Sequence, residues 1–171
     1  MSKTAEDQVD RLRAQWAREL PGVDTQGMEI LGRARRITLS VRPAIEAVFE
    51  EYALDTGEFD VVSTLLRAGP PYRMRPTELY KSLMISSGGL TDRLTRLTRA
   101  GLIRRAEAEG DARSLPVELT PEGRARTEAA FRADMAVEAR LLRGLSKNDR
   151  TTLATLLRKL AVSLEESASE D

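Results

Sequence analysis

The amino-acid sequence predicts a mainly α-helical fold with one small β-hairpin, on three observations. Apolar residues recur every three or four positions in several long segments, which is the period of an amphipathic helix. Aromatic residues make up 4% of the chain and hydrophobic residues 41%, so the core must be mostly aliphatic. Between Arg75 and Gly123, two short helical patterns precede two short runs that flank a polar tip. This order is the one that a winged helix-turn-helix requires.

The N-terminal region, residues 1–53, is predicted to form two amphipathic helices. The first covers residues 5–20 and ends at a Pro-Gly pair, which is a strong turn signal. The second extends from residue 30 to residue 52 and contains Pro43. Because proline lacks an N–H and collides with the preceding turn, we expect either a bend near Leu39 or two abutting helices.

The central region, residues 54–120, is predicted to be the winged helix-turn-helix. A turn and helix start at residues 54–60 open a helix that ends at the Gly-Pro-Pro run of residues 69–71. Residues 75–79 begin the first helix of the motif. We expect Ser86 to be the N-cap of the second, with its hydroxyl accepting a backbone amide. The hairpin then turns at residues 109–113.

The C-terminal region, residues 121–171, is predicted to form two more helices. Pro121 suits a first helical position, where its missing amide does no harm, and Ser146 suits the cap of the last helix. Together with the N-terminal pair, these helices carry apolar stripes that the small winged core cannot cover. The simplest way to bury these stripes is against a second copy of the chain related by a two-fold axis, so we expect a homodimer. A monomeric helical cap is the alternative.

The composition excludes several kinds of chemistry. The chain has no cysteine and no histidine, which removes disulfides, thiol redox sensing, Cys/His zinc sites and the commonest general base. No carboxylate pair stands out, so we expect no enzyme, no metal and no cofactor. No apolar run approaches the ~20 residues of a membrane helix, and the first residues lack the apolar segment of a signal peptide. We therefore predict a cytoplasmic, nucleoid-associated protein with no membrane partner.

The charge is unevenly distributed although the net charge is zero. Residues 72–126 contain eleven Arg or Lys and seven Asp or Glu, and the rest of the chain contains sixteen and twenty. A basic centre with acidic flanks is typical of a local phosphate-binding surface, although an ordinary solvated face can show the same bias. Double-stranded DNA is the partner that this surface predicts.

The second helix of the motif is the predicted recognition helix. Its leucines form an inward face and leave polar side chains for the groove, while the glycines at its start allow close approach to phosphates or base edges. Arg93 has the geometry to bind guanine O6 and N7, or alternatively to contact only phosphate or water. The predicted DNA contacts of this segment are Ser86, Ser87, Gly88, Thr91, Arg93 and Arg96.

The wing and the first helix of the motif supply the remaining predicted contacts. Arg113 is the expected minor-groove or backbone probe, and Asp111 either holds Arg113 or serves as a turn residue alone. Arg73, Arg75 and Thr77 are placed where the first helix meets the DNA backbone. Such contacts position a protein on DNA without specifying sequence.

These residues resemble the MarR family of bacterial transcription regulators. The resemblance covers residues 54–123 and includes the Arg-Pro-Thr-Glu-Leu helix start, the Leu-Thr-Arg-Ala-Gly-Leu-Ile-Arg-Arg segment and the Asp-x-Arg wing pattern. The family implies a homodimer with intertwined terminal helices that binds a pseudo-palindromic operator. It also implies a repressor that small, often anionic aromatic ligands release from DNA.

An extra N-terminal helix with Trp16 makes the chain similar to the urate-responsive, PecS-type branch of the family. In that branch a Trp, an Asp and an Arg frame an anionic ligand, and the matching positions are Trp16, Asp60 and Arg105. A Trp offers a stacking face and an Arg a planar fork to an anion. The alternative makes Trp16 a core residue of the dimer and Asp60–Arg105 a structural ion pair. The absence of cysteine from the chain argues against the peroxide-sensing members of the family, and the absence of histidine argues against the zinc-sensing members.

Two other classes of function remain open from the sequence. The first is a ligand-independent regulator that a protein partner controls through the acidic flanking helices. The second is a helical interaction protein that kept the fold without binding DNA. A small-molecule effect on operator binding would distinguish the ligand-controlled regulator from the ligand-independent one. Salt-dependent affinity for duplex DNA would distinguish both regulators from the interaction protein.

Overall fold

The computed structural model describes residues 6–84, 89–106 and 115–170, the last three of these without their side chains. Within these residues no helix combines the length and the hydropathy needed to cross a membrane. The α-helices and β-strands are α1 (Gln8–Glu19), α2 (Arg33–Glu51), α3 (Thr56–Arg67), β1 (Arg73–Met74), α4 (Pro76–Ser82), α5 (Leu90–Arg99), β2 (Ile103–Arg105), β3 (Val117–Leu119), α6 (Pro121–Leu141) and α7 (Lys147–Glu170). The predicted fold class, mainly helical with a small sheet, is confirmed.

The chain forms two compact units, residues 1–46 and 47–171, and the boundary between them falls inside α2. In the first unit, Arg33 connects the start of α2 to the start of α1. Its Nε lies 2.8 Å from Asp7 Oδ2, and its Nη2 lies 2.6 Å from Asp10 Oδ1. The N–H of Asp10 and the Arg33 guanidinium both stabilise the charged carboxylate, and they lower the pKa of Asp7 to about 2.

Helix α2 corrects one expectation about Pro43. A five-residue π-helical turn, Met28–Gly32, precedes α2, and α2 then continues through Pro43 as one helix. The alternative of two abutting helices at this proline is therefore wrong. Proline removes a single N–H from the hydrogen-bond ladder, and the residues on both sides of Pro43 remain helical.

The core of the second unit is built on α3. Asp55 caps this helix, because its Oδ1 accepts the Glu58 N–H at 2.7 Å while Glu58 Oε2 accepts the Asp55 N–H at 2.9 Å. The α3 side chains that face the core are fully buried. The rings of Phe49 and Phe59 stack with centroids 4.0 Å apart, which packs the end of α2 on α3. The fully buried apolar residues of α3 are Val61, Val62 and Leu65.

The three strands form one antiparallel sheet in the order β1-β3-β2. Val117 and Leu119 of β3, together with Ile103 of β2, point into the core and are buried. Glu118 lies on the opposite face, paired in register with Arg73 on one side and Arg104 on the other. Strands β2 and β3 are the two arms of the predicted wing, and its tip lies outside the described residues.

Helix α6 begins in close contact with the turn before β2. Thr120 caps α6: its Oγ1 accepts the Gly123 N–H at 3.0 Å and donates to the Gly101 carbonyl at 2.7 Å. Gly123 then lies directly against the backbone of Leu102. Further along the same helix, Asp134 is buried, and its Oδ1 has no hydrogen-bond partner among the described residues.

Helix α7 carries a stripe of large apolar side chains that the chain itself does not cover. Ser146 caps this helix as predicted: its Oγ accepts a hydrogen bond from the backbone N–H of Asp149, with an N to O distance of 3.1 Å. Four leucines on α7 remain 40–58% exposed. A soluble chain rarely leaves so many leucines on one helix in contact with water. The leucines are Leu153, Leu156, Leu157 and Leu164.

Candidate nucleic-acid interface

Helix α5 is held in the second unit by its leucines and presents a polar face outward. Leu94 and Leu97 are buried, at 5% and 1% exposure. Successive residues of a helix are offset by 100°, so the residues opposite these leucines face away from the core. These outward residues are polar or charged. They are Asp92, Thr95 and Arg99, with Thr91 and Arg96 at the two edges of this face.

The start of α5 corrects the expectation for Ser86. The helix begins at Leu90, and Gly89 occupies the N-cap position with a φ of 74°. A positive φ costs glycine little, whereas it strains residues that carry a Cβ, so Gly89 suits this position better than a serine would. Ser86 is therefore not the N-cap of α5. The predicted contacts Ser86, Ser87 and Gly88 lie outside the described residues.

Arg96 of α5 is held by the acidic N-terminus of α3. Its Nε lies 2.6 Å from Glu58 Oε1, and its Nη2 lies 2.6 Å from Asp55 Oδ2. The hydrogen bond to Glu58 and the neighbouring negative charges raise the pKa of Arg96 still further above its ordinary value. The Arg96 side chain is thus paired with α3 in the free protein, and base reading by Arg96 would first require these two contacts to break.

The side chain of Arg93, another residue of α5, also packs against α3 and does not point outward. Its guanidinium covers Gly57, so closely that a Cβ at position 57 would come within 2.6 Å of Arg93 Cζ. Only glycine leaves room for this approach. Arg93 and Arg96 together fix the orientation of α5 on α3. Guanine binding by Arg93 stays a prediction.

A cleft of about 480 Å³ lies between α4 and the first turn of α5. Thr77 lines it from α4, and Thr91 lines it from α5. Pro76 takes the first position of α4, and the N–H of Arg75 donates to Glu78 Oε2 at 2.9 Å, which fixes the start of this helix. The remaining lining residues are Pro76, Tyr80, Lys81, Gly89, Leu90 and Asp92.

The outer face of the sheet carries one arginine from β1 and one from β2. Arg73 and Arg104 are exposed on either side of Glu118, and Arg104 Nη2 lies 2.8 Å from Glu118 Oε1. Arg73 is thus exposed beside the helix-turn-helix, where the sequence predicts a contact with the DNA backbone. Asp111 and Arg113 lie outside the described residues.

The structure gives the three predicted ligand-binding residues different surroundings. Asp60 is buried in α3, and its Oδ1 accepts the Met84 N–H at 3.2 Å. Arg105 is exposed on β2 and donates from Nη1 to the Leu115 carbonyl at 3.4 Å. Trp16 belongs to the first unit, where it is 47% exposed on α1. A shared ligand site and the alternative, a structural ion pair between Asp60 and Arg105, both stay predictions.

Thr95 and Arg99 also face outward on α5, and neither belongs to the contacts predicted from the sequence. The signal was present in the spacing, because three leucines at positions 90, 94 and 97 define one side of a helix and these two residues lie opposite. The predicted DNA contacts of Arg93 and Arg96 stay predictions. Lys81 of α4 lines the cleft and is likewise not among the predicted contacts.

Comparison with known proteins agrees with this architecture. A sequence profile described as the MarR family matches residues 54–114. The HTH-type transcriptional regulator PecS of Dickeya dadantii is 37% identical over 150 residues, which covers 88% of this chain and 90% of PecS. A putative MarR-like transcription regulator from Bacillus cereus has a similar fold, with a TM-score of 0.73 at 18% identity over 82% of this chain and 99% of that one. Bordetella bronchiseptica BpsR, whose structure concerns regulation of DNA binding by 6-hydroxynicotinic acid, matches with a TM-score of 0.61 at 22% identity over 75% of this chain and 98% of BpsR.

Proposed function

This chain belongs to the MarR family of transcription regulators, as a PecS-type helix-turn-helix protein and not an enzyme. On this premise we propose that it is a homodimeric repressor. It binds a pseudo-palindromic operator, and a small anionic ligand, aromatic or urate-like, releases it. The observation that carries the DNA-binding part is the outward face of α5, which is polar while the leucines behind it are buried.

The contacts on α3 support this role for α5. A recognition helix must enter the major groove as a rigid body, with its N-terminal residues against the base edges. Arg93 and Arg96 connect α5 to the N-terminal part of α3. Lys81 supplies positive charge in the cleft beside the first turn of α5, and Arg73 is exposed on β1. This arrangement suits phosphate contacts that position the helix and leave its outward residues for the bases.

The exposed apolar stripes support a homodimer. Residues 1–53 and 121–171 are the proposed dimerisation regions, and residues 54–120 form the DNA-binding domain. Large apolar side chains remain in contact with water on α1, α2, α6 and α7. Because the α7 leucines are already about half covered, burying the rest of each against a second copy contributes roughly 1 kcal/mol. A two-fold dimer also places two copies of α5 on the two halves of a palindromic site.

The resemblance to PecS and BpsR supports ligand control, with Trp16, Asp60 and Arg105 as the proposed binding residues. The named ligand of BpsR is an aromatic acid. Arg105 is an exposed guanidinium whose contact within the described residues is a long hydrogen bond to a carbonyl, so it can pair with a carboxylate or an enolate. A ligand that prefers a dimer with wrongly spaced recognition helices weakens DNA binding by the difference in its affinity for the two states.

Binding to duplex DNA at several salt concentrations tests the first part of this proposal. Fluorescence anisotropy with a duplex selected from a randomised library should show affinity that falls steeply with salt, because each phosphate contact releases counterions. Replacing Arg113 with alanine should weaken binding to all duplexes and reduce the slope of log K against log salt by about two, one for each protomer of the dimer. Arg158→Ala on α7 is the matched control, since it removes the same charge far from α5 in sequence.

Two results would contradict the model. Equal slopes for Arg113→Ala and the wild type would remove the wing from the interface. Absence of any salt-dependent binding to duplex DNA would favour a helical interaction protein over a regulator.

Thermal denaturation with candidate anions tests the ligand. Urate or salicylate at about 100 times its Kd should stabilise the folded protein by about 2.7 kcal/mol, which raises the melting temperature by roughly 5–10 °C. Arg105→Ala should abolish this shift because it removes the fork that binds the anion. Arg104→Ala is the control, since Arg104 is the neighbouring residue on the other face of β2.

The variants separate ligand binding from general effects on the sheet. A shift that persists in Arg105→Ala would exclude this residue from the site. Absence of a shift with every anion, together with intact DNA binding, would leave a regulator that a protein partner controls.

A further inference from the structure

An acidic side chain lies on the face of α5 that is proposed to meet DNA. Asp92 is exposed in the first turn of the helix, on the side opposite the buried leucines, and it lines the cleft beside α4. Its carboxylate attracts the Arg96 guanidinium electrostatically, but among the residues that the structure describes it forms no salt bridge within 4 Å. The positive charge closest to it in helical spacing, Arg96, is already bound by Asp55 and Glu58.

This placement is unfavourable unless the carboxylate finds a hydrogen-bond donor on DNA. The phosphates of both strands repel a negative charge that enters the groove. The other residues on this face and at its edges are threonines and arginines, which do not have this difficulty. In the major groove the amino groups of cytosine and adenine are the donors, and a carboxylate typically accepts from cytosine N4.

We propose that Asp92 reads a cytosine in each half-site of the operator and rejects guanine or thymine at that position. The inference rests on the proposed function, because it requires α5 to enter the major groove. Residues in the first turn of a recognition helix are the ones that contact base edges. Guanine presents O6 and N7 and thymine presents O4, all acceptors that repel a carboxylate. Adenine offers an amino group, but its N7 lies beside it and disfavours Asp92.

Asp92 also has a structural effect that the test must separate. A carboxylate in the first turn of a helix interacts favourably with the positive end of the helix dipole. Removing that charge lowers the stability of α5 slightly whether or not Asp92 touches a base. Only base preference distinguishes the two roles.

Selection of binding duplexes from a randomised library, with the wild type and with Asp92→Asn, makes this distinction. Wild-type sites should contain cytosine at one position of each half-site, and replacing it with thymine should reduce affinity about 5- to 150-fold. The Asp92→Asn variant should instead prefer adenine at that position, because an amide binds adenine N6 and N7 together. The base preferences at all other positions of the site should be the same for the variant and the wild type. Glu165→Gln on α7 is the control for loss of one charge and should retain cytosine.

Each other result overturns the inference. Identical base preferences for Asp92→Asn and the wild type would reduce Asp92 to a helix-dipole residue while leaving the proposed function intact. A wild-type preference for guanine or thymine at the position that Asp92→Asn alters would show that the carboxylate does not read an amino group. Failure of the wild type to select any duplex would overturn the proposed function and this inference with it.

Discussion

Alanine in place of Gly123 should destabilise the folded chain by about 3 kcal/mol, at the upper end of what overpacking usually costs. A Cβ at this position would overlap the carbonyl oxygen of Leu102 and lie 2.7 Å from its carbon. Both atoms belong to the backbone, so no side-chain rotation relieves the clash. The same carbonyl accepts the Thr120 N–H at 3.0 Å, and moving it would break that bond.

The change is measured by thermal and urea denaturation. A loss of about 3 kcal/mol lowers the melting temperature by roughly 6–12 °C for a chain of this size. Gly144→Ala is the matched control, because no described atom lies within 4 Å of a Cβ built there, and it should melt like the wild type or slightly higher. Equal melting temperatures for the two variants would contradict the close approach of α6 to Leu102.

Glutamate in place of Leu156 should convert the proposed dimer to a monomer and reduce operator affinity roughly 10²- to 10⁴-fold. Leu156 is 57% exposed on α7, so within one chain the substitution costs little. In a dimer it would bury an unpaired charge among leucines, which is strongly unfavourable. Loss of the dimer separates the two recognition helices, and the second half-site then no longer binds as an intramolecular step.

Sedimentation velocity measures the assembly, and anisotropy with the selected duplex measures the affinity. Thr155→Glu adds the same charge on a different side of α7 and should leave both unchanged. A dimeric Leu156→Glu variant with normal DNA binding would remove the α7 stripe from the proposed interface.

The parts of this fold that the sequence predicted correctly depend on local patterns. Leucines at positions 90, 94 and 97 identify the buried side of α5 without reference to any other element. Pro121 at the first position of α6 and the cap formed by Ser146 follow from residue types near the start of each helix. The resemblance to the MarR family, confirmed by the match to PecS, rested on a contiguous series of such motifs.

The parts that the sequence did not predict depend on residues far apart in the chain. Arg96 binds Glu58 and Asp55, which are 38 and 41 residues away, and no local pattern indicates that pairing. Arg93 packs on Gly57 for the same kind of reason. Ser86 was chosen as a cap by residue type, whereas the backbone geometry at Gly89 decided where α5 begins.

The buried carboxyl group of Asp134 gives the folded chain an unusual response to acid. Burial, and secondarily the charge of Glu138, raise the pKa of Asp134 above its ordinary value of 3.8. Between the ordinary and the raised value the folded state holds a proton that the unfolded state releases, so folding is coupled to proton uptake. The contribution of this residue to stability is therefore full below its ordinary pKa and is lost as pH rises through the raised one. Ion-paired carboxylates such as Asp7 behave in the opposite way, and the two kinds of residue partly offset each other when the protein is acidified.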